Sequence, residues 1–282
     1  MNIKNDDMVK VTDMNKVVEL KLTSTTKTPK GKIRRIDKTQ YVDIDTGEVK
    51  TYKSKNTKTS SRKNNPDSLA RTGRNAKEMM ICNFVDKKQT QYITLTYKEP
   101  MCDFKQATND FKAFVKKIRR TYCKDNKMQY FFIQEQHYND SLHFHCLFYW
   151  DKAYPTDMVK NLSTLWEKGT SIHKPIKENK DILYIAAYLV SGHFTKNKKA
   201  DKNDFAQSSD DKGAIKNVRL DNLPAYYRDI KHSKNMLKPI KDEMLYSDVK
   251  DIYGFAEPFT ERSFEKTLNG FTVKNEYEYY AV

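Results

Sequence analysis

Cysteine is scarce and scattered. Cys82, Cys102, Cys123 and Cys146 are the whole supply, and no two of them form a C-x-x-C pair, so neither a zinc ribbon nor a disulfide scaffold is indicated. That usage fits a reducing cytoplasm. No run of about 18 apolar residues occurs, so no membrane-spanning helix is expected. The first ten residues, MNIKNDDMVK, lack the apolar core of a secretory signal. No G-x-x-x-x-G-K-[ST] is present, which excludes a P-loop helicase. Histidine is also sparse, with six in 282 residues, yet two of them sit one residue apart in the apolar stretch SLHFHCLFYW, residues 141 to 150.

Positive charge is plentiful. Lys and Arg total 52 against 37 Asp and Glu, a formal net charge of +15. Such an excess suits a nucleic-acid partner, because phosphate affinity comes largely from Lys and Arg. A lysine-rich soluble surface gives the same sum, so charge alone does not choose between the two. With 38% apolar and 12% aromatic residues, the chain can build a core and wholesale disorder is not expected.

Periodicity divides the chain. Residues 1 to 66 read as a basic, partly flexible arm, with one hairpin candidate at 39–52 around D-T-G-E and a linker at 53–66. Asp67 or Ser68 would cap a helix running to about 83. TQYITLTYKE, 90–99, is rich in β-formers; Tyr92, Thr94 and Thr96 share one face, Ile93, Leu95 and Tyr97 the other. Apolar residues at three- and four-residue steps make 103–122 a helix. Strands follow at 128–135 and 142–150, with Asn139 and Asp140 supplying the turn. A helix is expected at 156–168, stopped by Gly169, then a short strand in SIHKPIK, then a helix at 181–192. The order from 90 to 192, β-α-β-β-α-β-α, predicts an α+β fold: a ferredoxin-like (RRM-like) antiparallel sheet with helices packed on it, plus the basic arm. The expected domain spans 67–240, leaving 241–282 as a tail without a clear pattern.

On a strand, residues two apart face the same side. His143 and His145 therefore face one side of the sheet, and Phe144 and Cys146 the other. Two imidazoles on one face can bind one divalent cation. Glu135 offers a third ligand: with a turn near Asn139, residue 135 sits opposite residue 143, and opposed residues share a face. A one-residue slip would bring Gln134 or Gln136 there instead. His137 is a further candidate near the turn. Cys146, on the opposite face, cannot easily join both histidines. In YIAAY, Tyr184 and Tyr188 are four residues apart on a helix, so their hydroxyls leave nearly the same face. They read either as a packing face or as two phenolic nucleophiles, which would need an activated electrophile such as a metal-polarised phosphate.

Three motifs in this order resemble those of the rolling-circle replication initiators of the HUH endonuclease superfamily, from plasmids and single-stranded DNA phages. YITLTY (92–97) is similar to the first, QEQHYNDSLHFHCLF (134–148) to the second, and YIAAY (184–188) to the third. LARTGRNAKEMMICN resembles a basic helix before the first motif, and SKNMLKP (233–239) a serine-basic-proline element after the third. The resemblance covers roughly 68 to 240. It implies an enzyme that nicks and rejoins single-stranded or extruded-hairpin origin DNA. A tyrosine attacks the phosphate, leaving a 5′-phosphotyrosyl link and a 3′-hydroxyl that primes synthesis. It further implies a divalent metal, Mg²⁺ or Mn²⁺, held by Glu135, His143 and His145, and a host helicase and DNA polymerase as partners. Tyr188 ranks ahead of Tyr184 as first nucleophile. The family carries a lysine between or just after the tyrosines; this chain has Ala187 between them and Ser191 three residues past Tyr188, with Lys180 and Lys196 as possible substitutes. Lys116, Lys117, Arg119 and Arg120, on the basic face of the 103–122 helix, are candidates for DNA contact. The alternatives are a relaxase or transposase of the same superfamily, and a non-catalytic single-strand binder.

Overall fold

The computed structural model describes residues 3–25, 33–37, 39–52, 66–124, 127–136, 141–191, 228–255, 257–268 and 271–282. In chain order these hold β1 (Met8–Asp13), β2 (Val17–Thr25), β3 (Ile33–Arg35), β4 (Gln40–Asp43), β5 (Val49–Thr51) and α1 (Pro66–Phe84). Next come β6 (Gln91–Tyr97), α2 (Phe104–Tyr122), β7 (Met128–Gln136), β8 (Leu142–Trp150), α3 (Thr156–Lys160), α4 (Leu162–Trp166), β9 (Gly169–Pro175) and α5 (Asn179–Ser191). The chain closes with β10 (Ile230–His232), β11 (Ile240–Leu245), α6 (Tyr246–Tyr253), β12 (Thr260–Leu268) and β13 (Phe271–Ala281). Two compact units result. One contains Asp13–Val17 and Ser60–Pro239; the other contains Met1–Thr12, Val18–Thr59 and Ile240–Val282.

In the unit holding Ser60–Pro239, the strand order is β10-β7-β8-β6-β9, and every pairing is antiparallel. The strands joined through α2, β6 and β7, are separated by β8. Likewise β8 and β9 are separated by β6. This is the split βαβ arrangement expected from the sequence. The Asp103 side chain caps α2, accepting from the amides of Lys105 and Gln106 at 2.8 and 3.0 Å. The helix buries Ala107, Phe111, Phe114, Val115 and Ile118 against Phe132, Phe144 and Phe148 of the sheet. Phe111 is the hub, with its ring centroid 3.9 Å from Phe132 and 5.1 Å from Phe144.

The helix expected over 156–168 is two short helices. They break at Asn161, and the second ends at Glu167, which takes the left-handed conformation (φ 56°). Gly169 is not its cap. It opens β9 opposite Tyr97, where a Cβ would stand 2.2 Å from the Thr96 carbonyl oxygen; the strands meet too closely there for any side chain. The turn candidates Asn139 and Asp140, the 196–217 stretch and Gly192 lie outside the described residues.

The other unit departs from the reading of residues 1–66 as an arm and 241–282 as a tail. Its five-stranded sheet runs β11-β1-β2-β13-β12, so both chain ends supply strands. Val9, Val11, Val18 and Leu20 pack with Tyr246, Val249 and Tyr280 beneath α6. The hydroxyls of Tyr246 and Tyr280 donate to the buried Glu278 carboxylate at 3.1 and 2.6 Å, which gives that acid its partners. The hairpin expected at 39–52 is present as β4–β5, within the small sheet β3-β4-β5.

Candidate metal centre

The register places the proposed ligands. Glu135 stands opposite His143, and Ile133 opposite His145. On the other flank of β8, Thr94 opposes His145 and Tyr92 opposes Leu147. Opposed residues share a face, so Glu135, His143, His145, Tyr92 and Thr94 all project from one side of the sheet. Phe144 and Cys146 project into the α2-covered core from the other side. Burial pushes the Cys146 thiol well above its usual range, so it stays a protonated core residue and not a ligand.

His143 and His145 are only 4% and 7% exposed. Their Nε2 atoms are 2.9 Å apart, and Glu135 Oε2 lies 3.7 and 3.5 Å from them. A circle through three atoms at those separations has a radius of about 2.0 Å, so an ion slightly off their plane would lie about 2.1 Å from each, an ordinary metal–ligand length. Among the described residues this is the one group of three or more His, Cys, Asp or Glu so disposed. Two imidazoles and one carboxylate on one side, with the opposite side open to further ligands, suit a divalent ion. His137, the further candidate, lies outside the described residues.

Tyr92 is a residue that sequence reasoning placed on the correct face but gave no role. Its Oη is 2.6 Å from His145 Nδ1, and its ring lies nearly parallel to the imidazole, 5.8 Å away at 8°. Ligation through Nε2 requires the proton on Nδ1. Tyr92 Oη accepts a hydrogen bond from that N–H and fixes both tautomer and ring orientation, the usual task of a partner behind a metal-bound imidazole. The signal was available: Tyr92 and the histidines occupy faces that any β6–β8 pairing would align.

Helices cover this face. A cavity of about 260 Å³ lies between Ala76 and Met79 of α1 and Phe131 and Ile230 of the sheet. Phe131 shares the side of Glu135, so α1 lies over the seat-bearing face, and α5 packs against α1. Asp86, just past α1, and Asn179, at the start of α5, exchange hydrogen bonds at 2.8 and 2.9 Å. The SKNMLKP segment is held on the same unit. Ser233 exchanges hydrogen bonds with the Tyr130 backbone at 2.9 and 3.1 Å. Leu237 exchanges them with the Asn83 side chain at 2.8 and 2.9 Å.

Tyr184 and Tyr188 both lie on α5, one turn apart. Tyr184 is 40% exposed; the side chain of Tyr188 is outside the described residues. Ala187 is exposed. Lys180, a possible substitute for the absent lysine, is paired with Glu178 at 2.7 Å at the start of the helix, and Lys196 lies outside the described residues. The four cations suggested for DNA contact are not brought to the seat. Lys116, Lys117, Arg119 and Arg120 ride on α2, across the sheet from it. Lys117 is paired with Glu167, and the Arg119 guanidinium stands 5.5 Å from the Tyr130 ring centroid. The cations on the seat side belong to α1, where Arg71 and Arg74 are exposed.

No curated protein and no solved structure matches the chain. One family model does, that of the Replication-associated protein ORF2, over residues 90–193. The matched segment begins one residue before β6 and ends just past α5. It therefore contains all three motifs, the Glu135–His143–His145 cluster and both tyrosines of YIAAY. Residues 90–193 thus match a rolling-circle replication initiator family.

Proposed function

We propose that the chain initiates rolling-circle replication by nicking and rejoining single-stranded origin DNA through a tyrosine. The observation that carries this reading is the convergence of Glu135, His143 and His145 on one point, within the matched segment that also contains Tyr184 and Tyr188. Those three side chains would hold Mg²⁺ or Mn²⁺, and the ion supplies positive charge that polarises the scissile phosphate. Tyr92 holds His145 in the ligating tautomer. The phenolic oxygen of Tyr188, or of Tyr184, attacks phosphorus as its proton is lost. The bond from phosphorus to the 3′-oxygen breaks, and that oxygen leaves with the electron pair and takes up a proton. The products are a 5′-phosphotyrosyl link and a free 3′-hydroxyl for the host polymerase. Because the link keeps the phosphodiester energy, attack by a 3′-hydroxyl on it rejoins the strand without a nucleotide cofactor. Two tyrosines would allow one transfer to open the circle and one to close it. Unwinding is left to a host helicase.

The test is cleavage of a labelled single-stranded origin oligonucleotide with and without Mn²⁺. Cleavage is expected only with the ion, and neither His143→Ala nor the double variant Tyr184→Phe/Tyr188→Phe should cleave. Cleavage by the double variant would exclude the tyrosine mechanism.

A further inference from the structure

The β12–β13 hairpin sorts its charges by face. Opposed residues share a face, and the register pairs Glu261 with Glu278, Ser263 with Glu276 and Glu265 with Lys274. All four acids of the two strands therefore lie on one face, the side of Tyr280 and the α6-covered core. The same register pairs Thr260 with Tyr279, Arg262 with Tyr277, Phe264 with Asn275 and Lys266 with Val273. This second face carries two cations and three aromatic rings, and no acid from either strand.

The neighbouring strand extends the pattern. Val18 and Leu20 of β2 point into the core, so Glu19 and Lys21 point to the second face. The Lys21 ammonium stands 5.3 Å from the Tyr277 ring centroid, and Glu19 interacts with the Tyr279 hydroxyl. Phe264 is 58% exposed, its ring edge-on to Tyr277 at 6.0 Å and 76°. A lone exposed phenylalanine is ordinary. A Phe–Tyr pair framed by Lys21, Arg262 and Lys266, with the hairpin's acids all on the reverse side, is complementary to a ligand that is both planar and anionic.

We propose that this face binds single-stranded nucleic acid, its bases stacking on Phe264 and Tyr277 and its phosphates meeting Lys21, Arg262 and Lys266. The face lies in the unit outside the family match, so the inference stands apart from the strand-transfer reading. Binding here needs no divalent ion and does not depend on Tyr184 or Tyr188. A duplex buries its base faces and offers this surface only its phosphates.

The test measures fluorescence anisotropy of labelled oligo-dT and oligo-rU with the full chain in EDTA. The two are expected to bind alike, because stacking does not read the 2′-hydroxyl. Phe264→Ala should weaken binding about tenfold, and Phe264→Trp should keep it, which separates lost stacking from lost folding. Arg262→Gln with Lys266→Gln should reduce the slope of log affinity against log salt by about 1.4. Photo-cross-linking of an iodouracil oligonucleotide should mark the peptide carrying Phe264 or Tyr277. Three results would overturn the proposal: native affinity in Phe264→Ala, cross-links confined to residues 60–239, or loss of chain self-association in Phe264→Ala with oligonucleotide affinity unchanged.

Discussion

Replacing Tyr92 with Phe removes one oxygen from the support of the candidate metal centre and little else. The ring that lies alongside His145 at 5.8 Å remains, so the imidazole keeps its neighbour. What is lost is the acceptor 2.6 Å from Nδ1. Thr94 Oγ1 is the other oxygen nearby, but at 3.4 Å it is too distant to replace that bond without movement. His145 would then be free to carry its proton on Nε2, the tautomer that cannot ligate. Loss of such a partner typically weakens metal binding about 10- to 100-fold, equivalent to about 1.4–2.7 kcal/mol. The assay is titration with Mn²⁺, following the free ion by electron paramagnetic resonance, with a thermal melt of the metal-free protein as control. Tyr92→Phe should shift the dissociation constant by that factor while changing metal-free stability by about 1 kcal/mol at most. Native Mn²⁺ affinity in a natively stable Tyr92→Phe would refute the claim that the hydroxyl sets the His145 tautomer.

Saturating Mn²⁺ at about 100 times its dissociation constant should stabilise the native chain by about 2.7 kcal/mol, seen as a rise in the melting temperature of the metal-binding unit; His145→Ala should show no rise. Phe111→Ala should cost about 3–5 kcal/mol, read by urea unfolding, because the ring is 1% exposed at the centre of the α2–sheet core. Gly169→Ala should cost about 1–3 kcal/mol, since its methyl would meet the Thr96 carbonyl at 2.2 Å and force β6 and β9 apart. In thiol labelling followed by mass spectrometry, exposed Cys102 should react first. Cys146 should react only on unfolding, because burial keeps its thiol protonated.

The seat was legible in the sequence because it depends on local rules. Strand alternation fixes His143 and His145 on one side, and equal spacing from a turn sets Glu135 opposite His143. The helix at 103–122 was legible for the same reason, its apolar stripe being complete within nineteen residues. The second unit was not. Its sheet joins strands from opposite ends of the chain, as in the hydrogen bond from Thr23 to Asn275 across 252 positions, and no local pattern announces such a pairing. The basic face of α2 misled because periodicity says which residues are exposed on a helix, not which side of a sheet the helix covers. The break at Asn161 was hidden by an apolar pattern that two short helices satisfy as well as one long one.

The most direct measurement is recovery of the covalent adduct itself. The chain is incubated with a labelled single-stranded origin oligonucleotide and Mn²⁺, denatured, digested and analysed by mass spectrometry. The account predicts a nucleotide attached through a 5′-phosphate to the peptide carrying Tyr184 and Tyr188, formed only when Glu135, His143 and His145 are intact. Cleavage without any adduct, or an adduct on a peptide outside α5, would contradict it.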